Sequence, residues 1–135
     1  MRMTSLSTPV PSGYEAGVCN IGPAEISRRR RTGHAGTVAT IGLFIVLVVM
    51  GVPPAWRLLL ALPAALGAVG YLQARRHFCA GFAIQGVFNL GEPGAQTTVA
   101  DPEATRRDRS AASRLLGEAA LIGLLVGVVA ALLPV

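Results

Sequence analysis

The chain has 135 residues, 52% hydrophobic and 14% charged, with a formal net charge of +5. A soluble domain carries about 25% charged residues, so this composition excludes an ordinary water-soluble globular domain and points to a protein surrounded by lipid. The positive charge does not single out nucleic acid: all twelve basic residues are arginine, and they flank apolar stretches, where bilayer orientation and anionic headgroups account for them.

In chain order, residues 1–18 are rich in Ser, Thr, Pro and Gly and lack the apolar run of a signal peptide, so they read as a disordered cytoplasmic tail. Residues 19–135 read as one integral membrane domain. Cys19, Asn20, Ile21, Gly22 and Pro23 form a turn, and Pro23 suits the first position of a helix. A short basic helical lead-in follows, and its Arg28, Arg29, Arg30 and Arg31 read as a topology and lipid anchor.

The first transmembrane helix is expected over residues 35–52, where ten residues are Leu, Ile, Phe or Val. At 1.5 Å per residue it reaches about 27 Å, close to a hydrocarbon core of about 30 Å. Pro53 and Pro54 stop it and turn the chain back, and Trp56 fits the headgroup level on the far side. The second span, 56–74, completes a helical hairpin over 35–74. Pro63 is expected to kink or loosen one of its turns, while Ala64, Gly67, Ala68 and Gly70 give a surface that another helix can approach closely. Arg75 and Arg76 close this span as further anchors.

Residues 77–90 are apolar but too short to cross. An interfacial or re-entrant helix over about 78–90 would put Phe78, Phe82, Gln85 and Asn89 on one face. Residues 91–100 read as a loop. Asp101, Pro102 and Glu103 are a strong helix start, opening a long helix over 101–133 whose apolar part, 115–133, is the third span. Along it Ala119, Gly123, Gly127 and Ala131 recur every four residues, a small-residue ladder that marks a packing face. The fold class is thus an all-α membrane protein with three transmembrane helices. The absence of lysine and the abundance of Ala, Gly, Leu and Val suggest a GC-rich bacterial genome.

With the amino terminus cytoplasmic, eleven arginines fall on the cytoplasmic side and only Arg57 on the other. That bias places the carboxyl terminus outside and the protein in the cell membrane. The same orientation puts Cys19, His34, His77 and Cys79 at the cytoplasmic mouth of the hairpin. Two thiols and two imidazoles are a candidate zinc or iron set, and a thiol beside His77 and several arginines is a candidate for sulfur or redox chemistry. Their spacing contains no Cys-x-x-Cys or His-x-x-x-His pair, so buried structural cysteines and no cofactor are the plainer reading. Glu118 is the one acid near an apolar span, and Arg114 four residues before it is its expected partner.

Asn20-Ile21-Gly22, Arg28 and Arg31, Trp56, Phe78-Cys79 and Gly86-Val87 together carry a resemblance. Over about residues 19–91 the chain resembles the YgaP-like two-helix transmembrane domain found alone or attached to membrane rhodaneses. It departs from that pattern at Ala80, where the family usually has Pro, and in its third span. The sequence holds no rhodanese domain, so the resemblance does not imply sulfur-transfer catalysis. It implies a membrane anchor or oligomerising module, with Cys79 open to sulfur or redox chemistry. The functional expectation is a structural module that packs with itself or with a membrane partner through its small-residue faces. The alternative is a thiol or metal site around Cys79.

Overall fold

A computed structural model describes residues 14–91 and 96–135. Three helices are long and apolar enough to cross a membrane: Pro23–Val49, Pro54–Arg76 and Pro102–Leu132. The elements are α1 (Pro23–Val49), a 3-10 stretch (Pro54–Leu60) leading into α2 (Ala61–Arg76), a short α3 (Ala80–Gln85), strands β1 (Val87–Phe88) and β2 (Thr97–Thr98), and α4 (Pro102–Leu132).

The outer helices extend well past their apolar parts. α1 takes Pro23 as its first residue and runs unbroken for 27 residues, so the basic lead-in and the first span are one helix. It ends at Val49, and Gly51, at φ +67°, turns the chain toward Pro53 and Pro54. α4 begins as its sequence demands: the Asp101 side chain accepts from the Glu103 N–H at 3.1 Å and Pro102 sits in the first turn. Its 31 residues make a rod about 46 Å long, more than the roughly 30 Å that a hydrocarbon core measures.

The loosened turn expected from Pro63 lies just ahead of it. Residues Pro54–Leu60 form a 3-10 helix, and the α-helical ladder starts only at Ala61. Pro63 has no N–H to return to the Leu59 carbonyl, in the last turn of this stretch.

The expected helix over 78–90 is corrected. α3 holds only six residues and stops at Gly86, which takes φ +75°. Beyond it the chain is extended: Val87 and Phe88 pair with Thr98 and Thr97, and Asn89 bridges Ile21. Phe78 and Phe82 are buried, but Asn89 lies on this extended stretch, not on a helical face with them.

The tail is corrected in its last five residues. Tyr14 stacks on Phe88 with ring centroids 4.4 Å apart, and Glu15 bridges Cys19. Residues 14–22 therefore form a lap across the arginine-rich end; the rest of the expected disordered tail lies outside the described residues.

α2 stands in the middle, with α1 on one side and α4 on the other. Both contacts are made through small residues. A Cβ added at Gly36 would come within 2.4 Å of the Gly67 Cα, and one at Gly70 within 2.4 Å of the Gly33 nitrogen. On the other side, a Cβ at Gly123 would meet the Ala61 carbonyl oxygen at 2.5 Å and the Ala65 Cβ at 2.7 Å. Close backbone approach is what small residues at a helix contact permit. Thr37 and Thr40 return their hydroxyls to the Gly33 and Gly36 carbonyls at 2.9 and 2.7 Å, as polar side chains in an apolar span must.

The small-residue faces are thus occupied within the chain. Gly67, Ala119, Gly123 and Gly127 are buried; the last rung shifts, with Ala130 buried in place of Ala131. The outward faces are aliphatic and exposed, with Val38, Leu62, Leu121 and Val129 among the residues that show there.

Candidate functional site

The polar interior lies at the arginine-rich end. Asn20, Glu25, Asn89 and Asp108 are each fully buried and Gln73 nearly so. The path of the chain explains their meeting. α2 ends at His77, whose left-handed conformation (φ 55°) swings Phe78 and Cys79 back beneath the lap. Gly22 passes so close to residue 90 that a Cβ there would lie 2.4 Å from the Leu90 carbonyl oxygen, so only glycine fits.

Cys79 is the centre of this cluster. Asn20 holds its backbone from both sides: the Asn20 Nδ2 donates to the Cys79 carbonyl at 3.1 Å, and the Cys79 N–H donates to the Asn20 Oδ1 at 2.6 Å. The next N–H, from Ala80, donates to the Gln73 Oε1 at 2.9 Å. The Cys79 sulfur, itself buried with Ile21 and Phe82, accepts from the Arg29 Nη2 at 3.0 Å.

Arg29 belongs to two systems. Its guanidinium lies over the Phe82 ring, 5.3 Å from the centroid, and forms an ion pair with the Glu25 Oε1 at 3.3 Å. That pair is not aligned as a hydrogen bond, and the Arg29 Nε is buried without a hydrogen-bond partner among the described residues. The other oxygen, Glu25 Oε2, accepts from the Arg28 Nη1 at 3.2 Å and from the Asn89 Nδ2 at 3.3 Å. A buried carboxylate is tolerated only when paired and hydrogen-bonded, and Glu25 is both.

A second buried acid anchors the lap. Asp108 on α4 accepts from the Tyr14 hydroxyl at 2.8 Å and from the Gly17 N–H at 2.7 Å. Burial, this hydrogen bond and the charges of Asp108 and Asp101 all push the Tyr14 hydroxyl well above its ordinary value. Burial also pushes the Cys19 thiol up, opposed by a backbone bond at Ile21 and aided by the charge of Glu15.

The four candidate ligands have separate partners. Cys19 lies 3.7 Å from the Ile21 carbonyl oxygen. His34 is exposed and its Nδ1 shares a 2.7 Å hydrogen bond with the Tyr71 hydroxyl. His77 is exposed in the α2–α3 turn, and its carbonyl accepts from Asn20 and Ile21. Among the described residues, no three His, Cys, Asp or Glu side chains come together as a metal-binding group.

The arginine anchors divide. Arg28, Arg30, Arg31, Arg75 and Arg76 are exposed, while Arg29 turns inward. Glu118 is corrected: it pairs with Arg76 across to α2, not with Arg114 on its own helix. Trp56 is exposed at the opposite end as expected, but its neighbour Arg57 is buried there. The Arg57 guanidinium donates to the carbonyls of Ala130 at 3.1 Å and Leu133 at 2.9 Å, and to that of Val135, capping the end of α4.

Sequence reasoning missed Glu25, Asn89, Asp108 and Arg57 as buried polar groups. The signal for Glu25 was present: it is the one acid three and four residues before Arg28 and Arg29. Of the residues that carry the resemblance, Asn20 and Ile21 touch Cys79, Phe78 packs in a separate apolar cluster with Ala80, Ala83, Ala112 and Leu115, Arg31 stays on the surface and Trp56 lies at the other end. Compared with protein-family models, curated proteins and solved structures, the chain matches none of them.

Proposed function

We propose that this is a multi-pass protein of the cell membrane, with its arginine-rich end in the cytoplasm, and that it works as a structural module presenting that end to a second copy or to a membrane partner. The observation that supports this is the use of the small-residue faces inside the chain. With those stripes filled, the polar surface available for association is the cap of residues 14–22, 77–91 and the first turns of α4, ringed by exposed arginines. The spans supply no row of polar side chains, so transport is the weaker reading.

Two measurements test it. In a background carrying Cys19→Ser and Cys79→Ser, single cysteines placed at Ser113 and Ala55 should differ toward an impermeant thiol reagent. In intact cells Ala55→Cys reacts and Ser113→Cys does not; the reverse pattern inverts the topology. Cysteine crosslinking in membranes should then give adducts from cap positions such as Ser110. Failure of every cap position to crosslink to a copy or another membrane protein overturns the module reading.

A second reading is favoured by the 3.0 Å contact from the Arg29 guanidinium to the Cys79 sulfur. A small persulfide, R–S–SH, would hand its outer sulfur to Cys79. Its S–S bond breaks, a new one forms to the Cys79 Sγ, and the donor leaves as the thiol R–SH. The resulting anionic persulfide would have Arg29 beside it as counter-charge. In a Cys19→Ser background, incubation with such a donor should leave sulfane sulfur on the protein, and the added Cys79→Ser should leave none. Equal amounts in both would remove this reading.

A further inference from the structure

We infer that the chain holds one anionic phospholipid in the cleft between α1 and α4, its phosphate at the arginine-rich end and one acyl tail along the cleft. The inference rests on the membrane reading above. α1 and α4 both pack on α2, and the space between them is floored by Leu60, Gly67 and Ala68. Two cavities of about 410 and 250 Å³ lie there, and they share Thr40, Ile41 and Val126 as walls, so they form one cleft.

The length suits a lipid tail. From Ile122 on α4 to Leu133 just past its end, the cleft runs about 16 Å at 1.5 Å per residue, so it leads from the arginine-rich end toward the Arg57 end, where Arg57 binds the Leu133 carbonyl. A single hydrocarbon tail is thin enough to lie along the cleft. Its walls are aliphatic, and the Thr40 hydroxyl is already committed to the Gly36 carbonyl at 2.7 Å.

The arginine-rich end has complementary chemistry for a phosphodiester. There the cleft meets Tyr71, whose hydroxyl shares the 2.7 Å bond with His34 and lies 3.3 Å from the Thr37 Oγ1. All three residues are exposed. One turn further out, four residues before His34 and four after Tyr71, stand Arg30 and Arg75. Both are exposed, and neither is in an ion pair among the described residues. Glu118, the acid on the α4 rim, is held by Arg76. An apolar slot beneath two unpaired guanidinium groups and a hydroxyl–imidazole pair matches one anionic lipid.

The test is native mass spectrometry of the detergent-purified chain, offered phosphatidylglycerol or phosphatidylcholine with the same tails. Wild type should retain one phosphatidylglycerol per chain, preferred by at least about tenfold, since each arginine near the surface contributes about 1 kcal/mol and a tenfold ratio is 1.4 kcal/mol. Arg30→Gln with Arg75→Gln should abolish the preference while tail binding persists. Val126→Trp, which fills the cleft, should lose both lipids; Ile41→Trp serves the same end should the first variant melt early. Inorganic phosphate should not displace the lipid. Equal retention of the two lipids by wild type, or undiminished binding in both filled variants, overturns the proposal. So does a dimer that forms through the cleft and is lost on filling it. Recovery of wild type in the soluble fraction without detergent would instead overturn the membrane reading itself.

Discussion

Glu25→Gln tests whether the buried cluster holds Cys79 in place. The substitution keeps the shape of the side chain and removes its charge. Glu25 faces Arg28 at 3.2 Å and Arg29 at 3.3 Å, but the two arginines differ: the Arg28 side chain is 52% exposed and that of Arg29 only 15%. Arg28 returns to water, and exposed pairs of this kind contribute about 0–1 kcal/mol. Arg29 is left as a mostly buried cation whose remaining contacts are the Cys79 sulfur and the Phe82 ring. Breaking a buried pair from one side costs about 3–5 kcal/mol, and the residual exposure of Arg29 places it near the lower end. About 3 kcal/mol is roughly a hundredfold rise in the population of the open cap. Cys79 is 5% exposed, so in a Cys19→Ser background its alkylation reports that opening when reclosing outpaces reaction. Glu25→Gln should speed it roughly a hundredfold, Arg28→Gln less than about fivefold, and Glu25→Gln with Arg29→Gln should fall between. A rate for Glu25→Gln within about threefold of its parent would refute the reasoning, since that is the scale of an exposed pair.

Gly123→Leu should destabilise the packed helices by at least about 2 kcal/mol in detergent unfolding, because its Cβ alone meets the Ala61 oxygen at 2.5 Å. Gly42→Ala, with nothing within 4 Å, should be neutral or stabilising by up to about 1 kcal/mol on the same curve. Arg57→Met should cost about 1–3 kcal/mol, by removing the guanidinium bonds to the Ala130 and Leu133 carbonyls, and should shift the emission of the adjacent Trp56. The pH response follows from Tyr14, whose folded value lies above its ordinary one. The folded state therefore holds the proton more tightly. Its contribution is complete below the ordinary tyrosine value of about 10 and is lost as pH rises toward the folded value. Cys19 moves in the same direction. Proteolysis of the lap should accelerate only in alkali, and phenolate absorbance in a Tyr71→Phe variant should titrate later than free tyrosine.

The three long helices and the capped start of α4 were legible because length, apolar runs and an Asp-Pro-Glu start act locally. The small-residue ladder was legible as a packing face that matches the small-residue second helix, but Ala61 and Ala65 as its particular partners were not, because the pattern does not give the register. The segment after His77 was read too regularly. Its apolar spacing fits a helix, yet Gly86 breaks that helix, and pairing of Val87 and Phe88 with Thr98 and Thr97, and of Asn89 with Ile21 of the lap, takes Val87 to Asn89 into extended chain. The arginines were read as one class. Burial separates Arg29 and Arg57 from the rest through partners distant in sequence, Cys79 for one and the end of α4 for the other. Asn20 looked like a turn residue; that its amide brackets the Cys79 backbone is a contact across 59 positions, which no local rule supplies.

The grip of Asp108 on Tyr14 and Gly17 joins positions more than ninety residues apart. During synthesis the lap therefore waits, emerging first and finding its anchor only when α4 arrives. A chain arrested after the second helix has the Asn20–Cys79 bracket available but no anchor for the lap. Closure of the lap thus signals that α4 is in place, and a protease sampling Tyr14 to Val18 would distinguish chains with α4 docked from those without it.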